Sequence, residues 1–169
     1  MALLVGINQY PQIPALKGCL TDVELQRELL IHRFGFQPSD ILSLTNKQAT
    51  REGIENAFVE HLINQAKPGD VVIFHFSGYG SRIKSKNILG GMENALIPID
   101  GSEAIDNSET IANYLLEDTL LLMLQSLATE RATAILDTSY YRPSISQPAG
   151  LRYRCWKAPS EGLFLAEEI

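Results

Sequence analysis

The stretch that decides the fold is Val71-Val72-Ile73-Phe74-His75-Phe76-Ser77-Gly78-Tyr79-Gly80, an apolar run that ends in a turn of small residues. A continuous apolar run of this length, bounded by turn residues, is typical of a strand covered on both faces. The chain opens with a similar run from Ala2 to Ile7, and a third, Thr133 to Leu136, leads into Asp137-Thr138-Ser139. These runs predict a sheet built from short strands, with the first two runs buried.

Helical patterns separate the apolar runs. Thr21-Asp22-Val23-Glu24 has the sequence of a capping box, which predicts a helix that runs to about Phe34. Gly35 then ends this helix, because glycine adopts the left-handed conformation at little cost. Thr50 predicts the start of a second helix, whose apolar stripe comprises Ile54, Ala57, Phe58 and Leu62.

Three further segments complete the prediction. Residues 41–44 are expected to form a strand, residues 81–113 a less regular stretch, and residues 115–127 a helix. The leucine-rich part of that helix, residues 120–124, is predicted to face the core, with an interface as the alternative.

The alternation of strands and helices predicts parallel pairing through right-handed crossovers. Open parallel sheets place their sites at the carboxyl ends of the strands. The turns Ser77-Gly78-Tyr79 and Asp137-Thr138-Ser139 both follow strands, so we expect them to share one cleft.

Composition limits the classes of function. The 169 residues suit one globular domain, and their net charge of −6 argues against binding to nucleic acid. The trio Arg82, Lys84 and Lys86 reads as a solvated loop, with a docking patch as the alternative. Two cysteines give no disulfide framework, and no apolar run has the length of a membrane span, so we expect a cytoplasmic protein with no membrane partner.

The two turns, with Leu16-Lys17-Gly18-Cys19-Leu20-Thr21-Asp22, resemble the caspase-like cysteine peptidases, specifically the metacaspase and orthocaspase branch of peptidase family C14. In that family the first turn reads Ser-Gly-His-Gly and supplies the general base. The second reads Asp-Ser-Cys-His and supplies the nucleophile. Here Tyr79 and Ser139 stand at the positions of that His and Cys.

The resemblance implies an α/β fold of the caspase-hemoglobinase type, a three-layer sandwich with a mainly parallel sheet and helices on both faces. It covers residues 1–141, which we interpret as the large-subunit-like domain. Residues 142–169 are interpreted as a loop with a further strand near residues 151–156, either the start of a small-subunit region or a truncated end.

Both replacements weaken the chemistry of a peptidase. A thiol, with a pKa of about 8.5, is readily activated by imidazole, whereas a serine hydroxyl is a far weaker acid. A phenol, with a pKa of about 10, is a poor base at neutral pH. Tyr79 and Ser139 are therefore predicted to be relic positions of an inactive dyad.

The resemblance also implies a pocket for an Arg or Lys side chain, and its positions are kept. They are Cys19, Asp22, Ser77 and Asp137. Two carboxylates converging on a guanidinium would bind it through charge-assisted hydrogen bonds. The alternatives are structural: Asp22 as a helix first-turn residue, Asp137 as a turn cap and Cys19 as a small buried hydrophobe.

No cofactor or metal is expected, with calcium as the alternative. Family members often carry an acidic calcium loop after the third strand, but the matching region keeps only Glu93 and Asn94. His75 is predicted to be a packed strand residue, whereas the sequence around His32 and His61 gives no signal of a partner. Tyr140 and Tyr141, which follow Ser139, could fill the vacated cleft.

The predicted function is that of a pseudopeptidase: a catalytically impaired homologue whose acidic pocket recognises a basic peptide or protein segment. One alternative is a residual endopeptidase that cleaves after Arg or Lys with Ser139 as nucleophile. Another is a purely structural or assembly domain.

Overall fold

A computed structural model describes residues 1–84, 91–101, 110–140, 154–155 and 163–165. Its centre is a four-stranded sheet of β1 (Ala2–Gly6), β2 (Ile41–Thr45), β3 (Val72–Ser77) and β8 (Ala132–Asp137). The sheet is wholly parallel, with the order β2-β1-β3-β8. The parallel sheet predicted from the apolar runs is confirmed.

Helices cover both faces of the sheet, as a three-layer sandwich requires. Helix α1 (Cys19–Phe34) packs on one face, where Val23 and Leu30 meet Ala2 and Leu4. Helix α2 (Arg51–Ala57), which continues as a π-helical turn over Phe58–Ile63, packs on the other face with α3 (Glu117–Gln125). Strand residues alternate between the two faces because successive side chains of a strand point to opposite sides.

The second helix forms for the reasons the sequence suggests. The Thr50 hydroxyl accepts a hydrogen bond from the Gly53 amide at 2.9 Å and so caps the helix. The whole predicted stripe is buried: Ile54, Ala57, Phe58 and Leu62.

The predicted start of α1 is wrong. The helix begins at Cys19 rather than at the Thr21 capping box, and its N-cap, Gly18, is in the left-handed region with φ 108°. The side-chain oxygen of Asn8 accepts from the Cys19 amide at 2.9 Å, so a distant loop satisfies this helix end. Gly35 ends the helix with φ 73°, as predicted.

The stretch predicted to be irregular contains strands. Strands β4 (Gly80–Lys84), β5 (Met92–Leu96) and β7 (Leu115–Leu116) form an antiparallel sheet, and β6 (Thr110–Ala112) pairs with β9 (Leu163–Leu165). The leucine run of α3 is divided: Leu120 is buried, whereas Leu121 and Leu122 are exposed. The prediction that this run faces the core is therefore correct only in part.

Strand β8 lies at the edge of the four-stranded sheet, among the residues that the structure describes. Thr133, Ala134 and Asp137 are exposed there, as an edge position allows. No helix in the described part of the chain is long and apolar enough to cross a membrane.

Candidate functional site

Two turns meet at the carboxyl ends of β3 and β8. The strands are neighbours, and Ser77 is in register with Asp137. The hydroxyl of Ser77 lies 3.5 Å from Oδ2 of Asp137. A Cβ atom placed on Gly80 would lie 2.7 Å from the carbonyl oxygen of Ser139, so the two turns touch. The predicted common cleft is therefore present.

Helix α1 brings Cys19 and Asp22 to the same cleft. A Cβ atom on Gly6 would lie 2.6 Å from Cγ2 of Val23 and 2.8 Å from the carbonyl oxygen of Cys19, so only glycine lets the helix lie against the end of β1. The Ser77 hydroxyl donates to Oδ2 of Asp22 at 2.9 Å. The four predicted pocket residues are thus close together, although their roles remain predictions.

The cleft contains a residue that the sequence analysis did not select, Arg154. Its Nη1 donates to Oγ of Ser77 at 2.5 Å and to Oδ2 of Asp137 at 2.6 Å. Its Nη2 donates to Oδ2 of Asp22 at 2.6 Å. The guanidinium therefore uses two different nitrogens for the two carboxylates, which is the forked geometry that distinguishes arginine from lysine.

The charges around Arg154 are mutually stabilising. Burial acts to raise the pKa of Asp22, but the hydrogen bonds from Arg154 and Ser77 outweigh it and leave that pKa lowered. Burial likewise opposes the charge of Arg154, and the hydrogen bond to Asp22 together with nearby negative groups raises its pKa. Burial raises the pKa of the Cys19 thiol, partly offset by a hydrogen bond with Ser77, so this group remains a neutral neighbour of the ion pairs.

The main chain of Arg154 is also held. Its carbonyl oxygen accepts hydrogen bonds from the amides of Gly80 and Ser139, each at 3.1 Å. The Thr138 hydroxyl donates to the same oxygen at 3.4 Å. Two amides aimed at one carbonyl oxygen form the kind of arrangement that acyl-transfer enzymes use to stabilise an oxyanion.

Tyr79 belongs to the core. Only 7% of it is exposed, and its ring packs on Tyr10 with the centroids 5.2 Å apart. The Tyr10 hydroxyl accepts from the Tyr79 amide at 3.1 Å and donates to the carbonyl oxygen of Ile97 at 3.1 Å. The turn that carries Tyr79 and Gly80 is therefore fixed by a buried hydrogen-bond bridge, which no sequence pattern indicated.

Tyr140 connects the turn at Gly80 with the start of α3. Its hydroxyl donates to Oε1 of Glu117, and its ring lies close to Gly80. Burial, followed by the hydrogen bond and charge of Glu117, raises the pKa of Tyr140. Tyr140 is thus tied to the start of α3.

Tyr141 and Lys86 lie outside the described residues, so the predictions that involve them stay predictions.

The three histidines, all within the described residues, make no hydrogen bond to Arg154; one is buried in a strand and two lie beside other residues of the chain. His75 is buried with 3% exposed, and burial lowers its pKa, as befits a packed strand residue. No sequence signal indicated a partner for His32 or His61, and the structure shows a contact for each. His32 lies 3.0 Å from Glu28 on the next turn of α1, and Nε2 of His61 lies 3.1 Å from the carbonyl oxygen of Asp40.

The predicted remnant of the calcium loop is part of a strand. Glu93 and Asn94 lie in β5, and the Asn94 amide donates to Oε2 of Glu117 at 2.9 Å. Arg82 and Lys84 lie in β4 rather than in a loop. Within the ranges that the structure describes, no three His, Cys, Asp or Glu side chains are grouped as metal ligands.

The fold and the cleft together define a caspase-like α/β domain. The sequence profile described as "Metacaspase, peptidase C14 domain" matches residues 1–145. The chain therefore belongs to the metacaspase peptidase C14 family.

Comparison with individual relatives gives the same family. The chain is 31% identical over 157 residues to Metacaspase-1 of Yarrowia lipolytica, covering 87% of this chain and 32% of that protein. It is 30% identical over 162 residues to Metacaspase-1 of Ajellomyces capsulatus, covering 87% of this chain and 42% of that protein. The chain thus spans about a third to two fifths of these relatives.

A solved structure supports the fold. A crystal structure of a Geobacter sulfurreducens protein matches with a TM-score of 0.59 and 19% identity, covering 80% of this chain and 48% of that one.

Proposed function

We propose that this metacaspase homologue is a pseudopeptidase that binds an arginine side chain in the acidic pocket and does not cleave the bound segment. The observation that carries the proposal is the set of contacts to Arg154. Asp22, Ser77 and Asp137 together bind one guanidinium, with nitrogen-to-oxygen distances of 2.5 to 2.6 Å. A pocket that accommodates an arginine of its own chain has the shape and charge to bind one from a partner.

The absence of cleavage follows from the chemistry of the two replaced positions. A serine hydroxyl attacks a carbonyl only when a well-placed base removes its proton. Tyr79 supplies no imidazole, and its ring is buried against Tyr10. The remaining amides of Gly80 and Ser139 hold a carbonyl oxygen but activate no nucleophile.

The partner is a basic peptide or protein segment that presents arginine in an extended stretch. The overall charge of −6 favours such a partner over nucleic acid. A cytoplasmic site of action fits two cysteines that are both free in the structure.

Calorimetric titration of the Arg154→Ala variant with a short peptide amide ending in arginine tests the proposal. Removing Arg154 opens the pocket, so we expect saturable binding without release of the terminal amide. Asp137→Asn in the same background should weaken binding at least ~10-fold, since a charge-assisted hydrogen bond contributes roughly 1.5–3 kcal/mol. Glu28→Gln, which removes an exposed carboxylate on α1, is the matched control and should change nothing. Absence of any arginine-dependent heat would refute the proposal.

One observation favours a second candidate, a residual endopeptidase. The carbonyl of Arg154 is bound by the amide of Ser139 itself, which places a peptide bond beside the residue at the nucleophile position. Under this reading Ser139→Ala would abolish a measurable cleavage after arginine.

A further inference from the structure

Two asparagines outside the set of pocket residues connect the end of β2 with the start of α1. The side-chain oxygen of Asn46 accepts hydrogen bonds from the amides of Asn8 and Gln9, at 2.9 and 3.1 Å. The side-chain oxygen of Asn8 in turn accepts from the amide of Cys19 at 2.9 Å. From these contacts we infer that Asn46 and Asn8 are positioning residues that set the specificity of the pocket for arginine. The inference rests on the proposed function and extends it to residues behind the pocket.

The backbone of Asn46 indicates that this residue is placed for its side chain. Among the described residues other than glycine, Asn46 alone has a positive φ, 44°. Asparagine tolerates this left-handed conformation, but glycine would adopt it at less cost. Asn46 directly follows β2, whose last residue, Thr45, is in register with Gly6 of β1. The side chain therefore reaches from the end of β2 to the loop that leaves β1.

Asn8 is bound through its amide, its carbonyl and its side chain. Besides the two contacts above, its carbonyl oxygen accepts from the amide of Leu16 at 2.8 Å. The loop that leads from β1 to α1 is thereby closed at both ends. The N-cap of α1, Gly18, has no side chain that could cap the helix. Asn8 supplies the side-chain acceptor that this position lacks.

The helix end that Asn8 caps carries one of the two carboxylates of the pocket. Asp22 lies in the first turn of α1, and its amide donates to the carbonyl oxygen of Gly18 at 2.8 Å. The Asp22 carboxylate meets one nitrogen of the Arg154 guanidinium, whereas Asp137 at the end of β8 meets the other. The forked contact therefore depends on the distance between a helix and a strand. Asn8 holds the helix side of that distance.

Loss of this anchor should affect arginine more than lysine. A guanidinium has to reach both carboxylates with nitrogens of fixed separation, so a shift of the helix breaks the fork. An ammonium has a single nitrogen on a flexible stem and can follow whichever carboxylate is in place. The ratio of arginine affinity to lysine affinity therefore measures the positioning of the carboxylates, and a general loss of stability would not change it.

The first test is calorimetry in the Arg154→Ala background with two peptide amides, one ending in arginine and one in lysine. Asn8→Ala should weaken arginine binding about 10-fold, the loss of one charge-assisted hydrogen bond, and lysine binding about 2-fold. Asn8→Asp keeps the capping oxygen, and its added charge acts on both peptides, so the ratio should stay that of the background. The control is Asn64→Ala, at an exposed asparagine that ends the π-helical turn on the other face of the sheet. An unchanged ratio in Asn8→Ala would overturn the inference.

A pair of variants at Asn46 separates the role of its side chain from that of its backbone. Asn46→Gly keeps the left-handed backbone but removes the oxygen that holds the Asn8 amide, so the ratio should fall as it does in Asn8→Ala. Asn46→Asp keeps an oxygen in place and should keep the ratio. Equal ratios for the two variants would overturn the role assigned to Asn46.

Hydrogen exchange of backbone amides, measured by NMR on the chain without a peptide, tests the anchor independently of binding. In Asn8→Ala the amides of Cys19 and Asp22 should exchange about 5-fold faster than in the unaltered chain, as expected for loss of a helix cap. The amide of Gly35, at the far end of α1, should keep its rate. Equal acceleration at both ends, or none at Cys19, would overturn the inference.

The two measurements separate a failure of the inference from a failure of the proposed function. Absence of peptide binding by the Arg154→Ala protein itself would refute the proposed function. The exchange rates then decide whether Asn8 positions the first turn of α1.

Discussion

The amide of Ser139 donates a hydrogen bond to the carbonyl oxygen of Arg154 at 3.1 Å. The residue at the nucleophile position of a peptidase family therefore holds a peptide carbonyl of its own chain. Under the proposed function, this arrangement provides a pocket for the arginine side chain and amides for the carbonyl oxygen. The same proposal places Ser139 and the buried Tyr79 where a peptidase would have its thiol and imidazole.

The forked contact predicts selectivity for arginine over lysine. Nη1 of Arg154 bonds to Ser77 and Asp137, while Nη2 bonds to Asp22. A lysine ammonium brings one nitrogen and leaves one of these carboxylates without its partner. In the Arg154→Ala background, a peptide amide ending in arginine should bind about 10-fold more tightly than the same peptide ending in lysine, a difference of about 1.4 kcal/mol. Equal affinities would show that the pocket recognises the positive charge and not the forked shape of the guanidinium.

The buried His75 predicts a loss of stability in mild acid. Burial lowers its pKa in the folded state, while in the unfolded chain the pKa is about 6.5. The unfolded state then binds the proton first. The contribution of His75 to stability is complete above pH ~6.5 and declines as the pH falls from there toward the lowered folded-state pKa.

Urea unfolding at a series of pH values between about 7 and 5 checks this prediction. The midpoint should fall more steeply for the unaltered chain than for His75→Phe, which cannot titrate. His32→Gln, at an exposed histidine, should keep the steep fall. The prediction fails if the His75→Phe curve has the same slope as the unaltered chain.

Gly6 is predicted to be essential for the position of α1. An added methyl group would lie 2.6 Å from Cγ2 of Val23 and 2.8 Å from the carbonyl oxygen of Cys19. The second of these atoms belongs to the backbone of α1, so it cannot move aside as a flexible side chain can. Gly6→Ala should therefore destabilise the fold by about 1–3 kcal/mol, the usual cost of overpacking. Gly91→Ala, where nothing lies within 4 Å of the added atom, is the control. Chemical denaturation of both variants measures the difference, and comparable stability for the two would contradict the packing argument.

Tyr10 is predicted to position the turn that carries Tyr79 and Gly80. Tyr10→Phe leaves the buried Tyr79 amide and the Ile97 carbonyl without the hydroxyl that joins them. We expect a destabilisation of about 1–3 kcal/mol, the cost of unpaired buried polar groups. Binding of the arginine peptide to the Arg154→Ala protein should weaken as well, since the Gly80 amide moves with the turn. Ser39→Ala, at an exposed hydroxyl, should alter neither quantity. A Tyr10→Phe variant with unchanged stability would refute the role of this hydrogen-bond bridge.

Much of the fold could be predicted because its information is local. The apolar runs indicated the positions of β1, β3 and β8. Gly35 marked the end of α1 through its left-handed backbone, and Thr50 marked the start of α2 through its capping side chain. The neighbouring ends of β3 and β8 followed from parallel pairing. This was sufficient to place Ser77 beside Asp137.

What escaped prediction depends on contacts between distant segments. Helix α1 starts before its apparent capping box because Asn8, 11 residues from Cys19, caps it. Strands β4 and β5 contain polar residues such as Arg82 and Asn94, which hide the usual strand pattern. Arg154 reaches Asp22 across 132 residues, and one arginine among 14 basic residues carries no local mark of such a contact.

The central claim is that the pocket binds without cutting, and the mass of the purified chain during long incubation at neutral pH tests it most directly. The bond between Arg154 and Cys155 lies beside Ser139 in every molecule with an occupied pocket, so each chain carries its own substrate. We predict that the chain stays intact and that Ser139→Ala behaves identically. Hydrolysis at this bond, with the new carboxylate on Arg154 and the new amine on Cys155, would contradict the claim if it disappeared in Ser139→Ala.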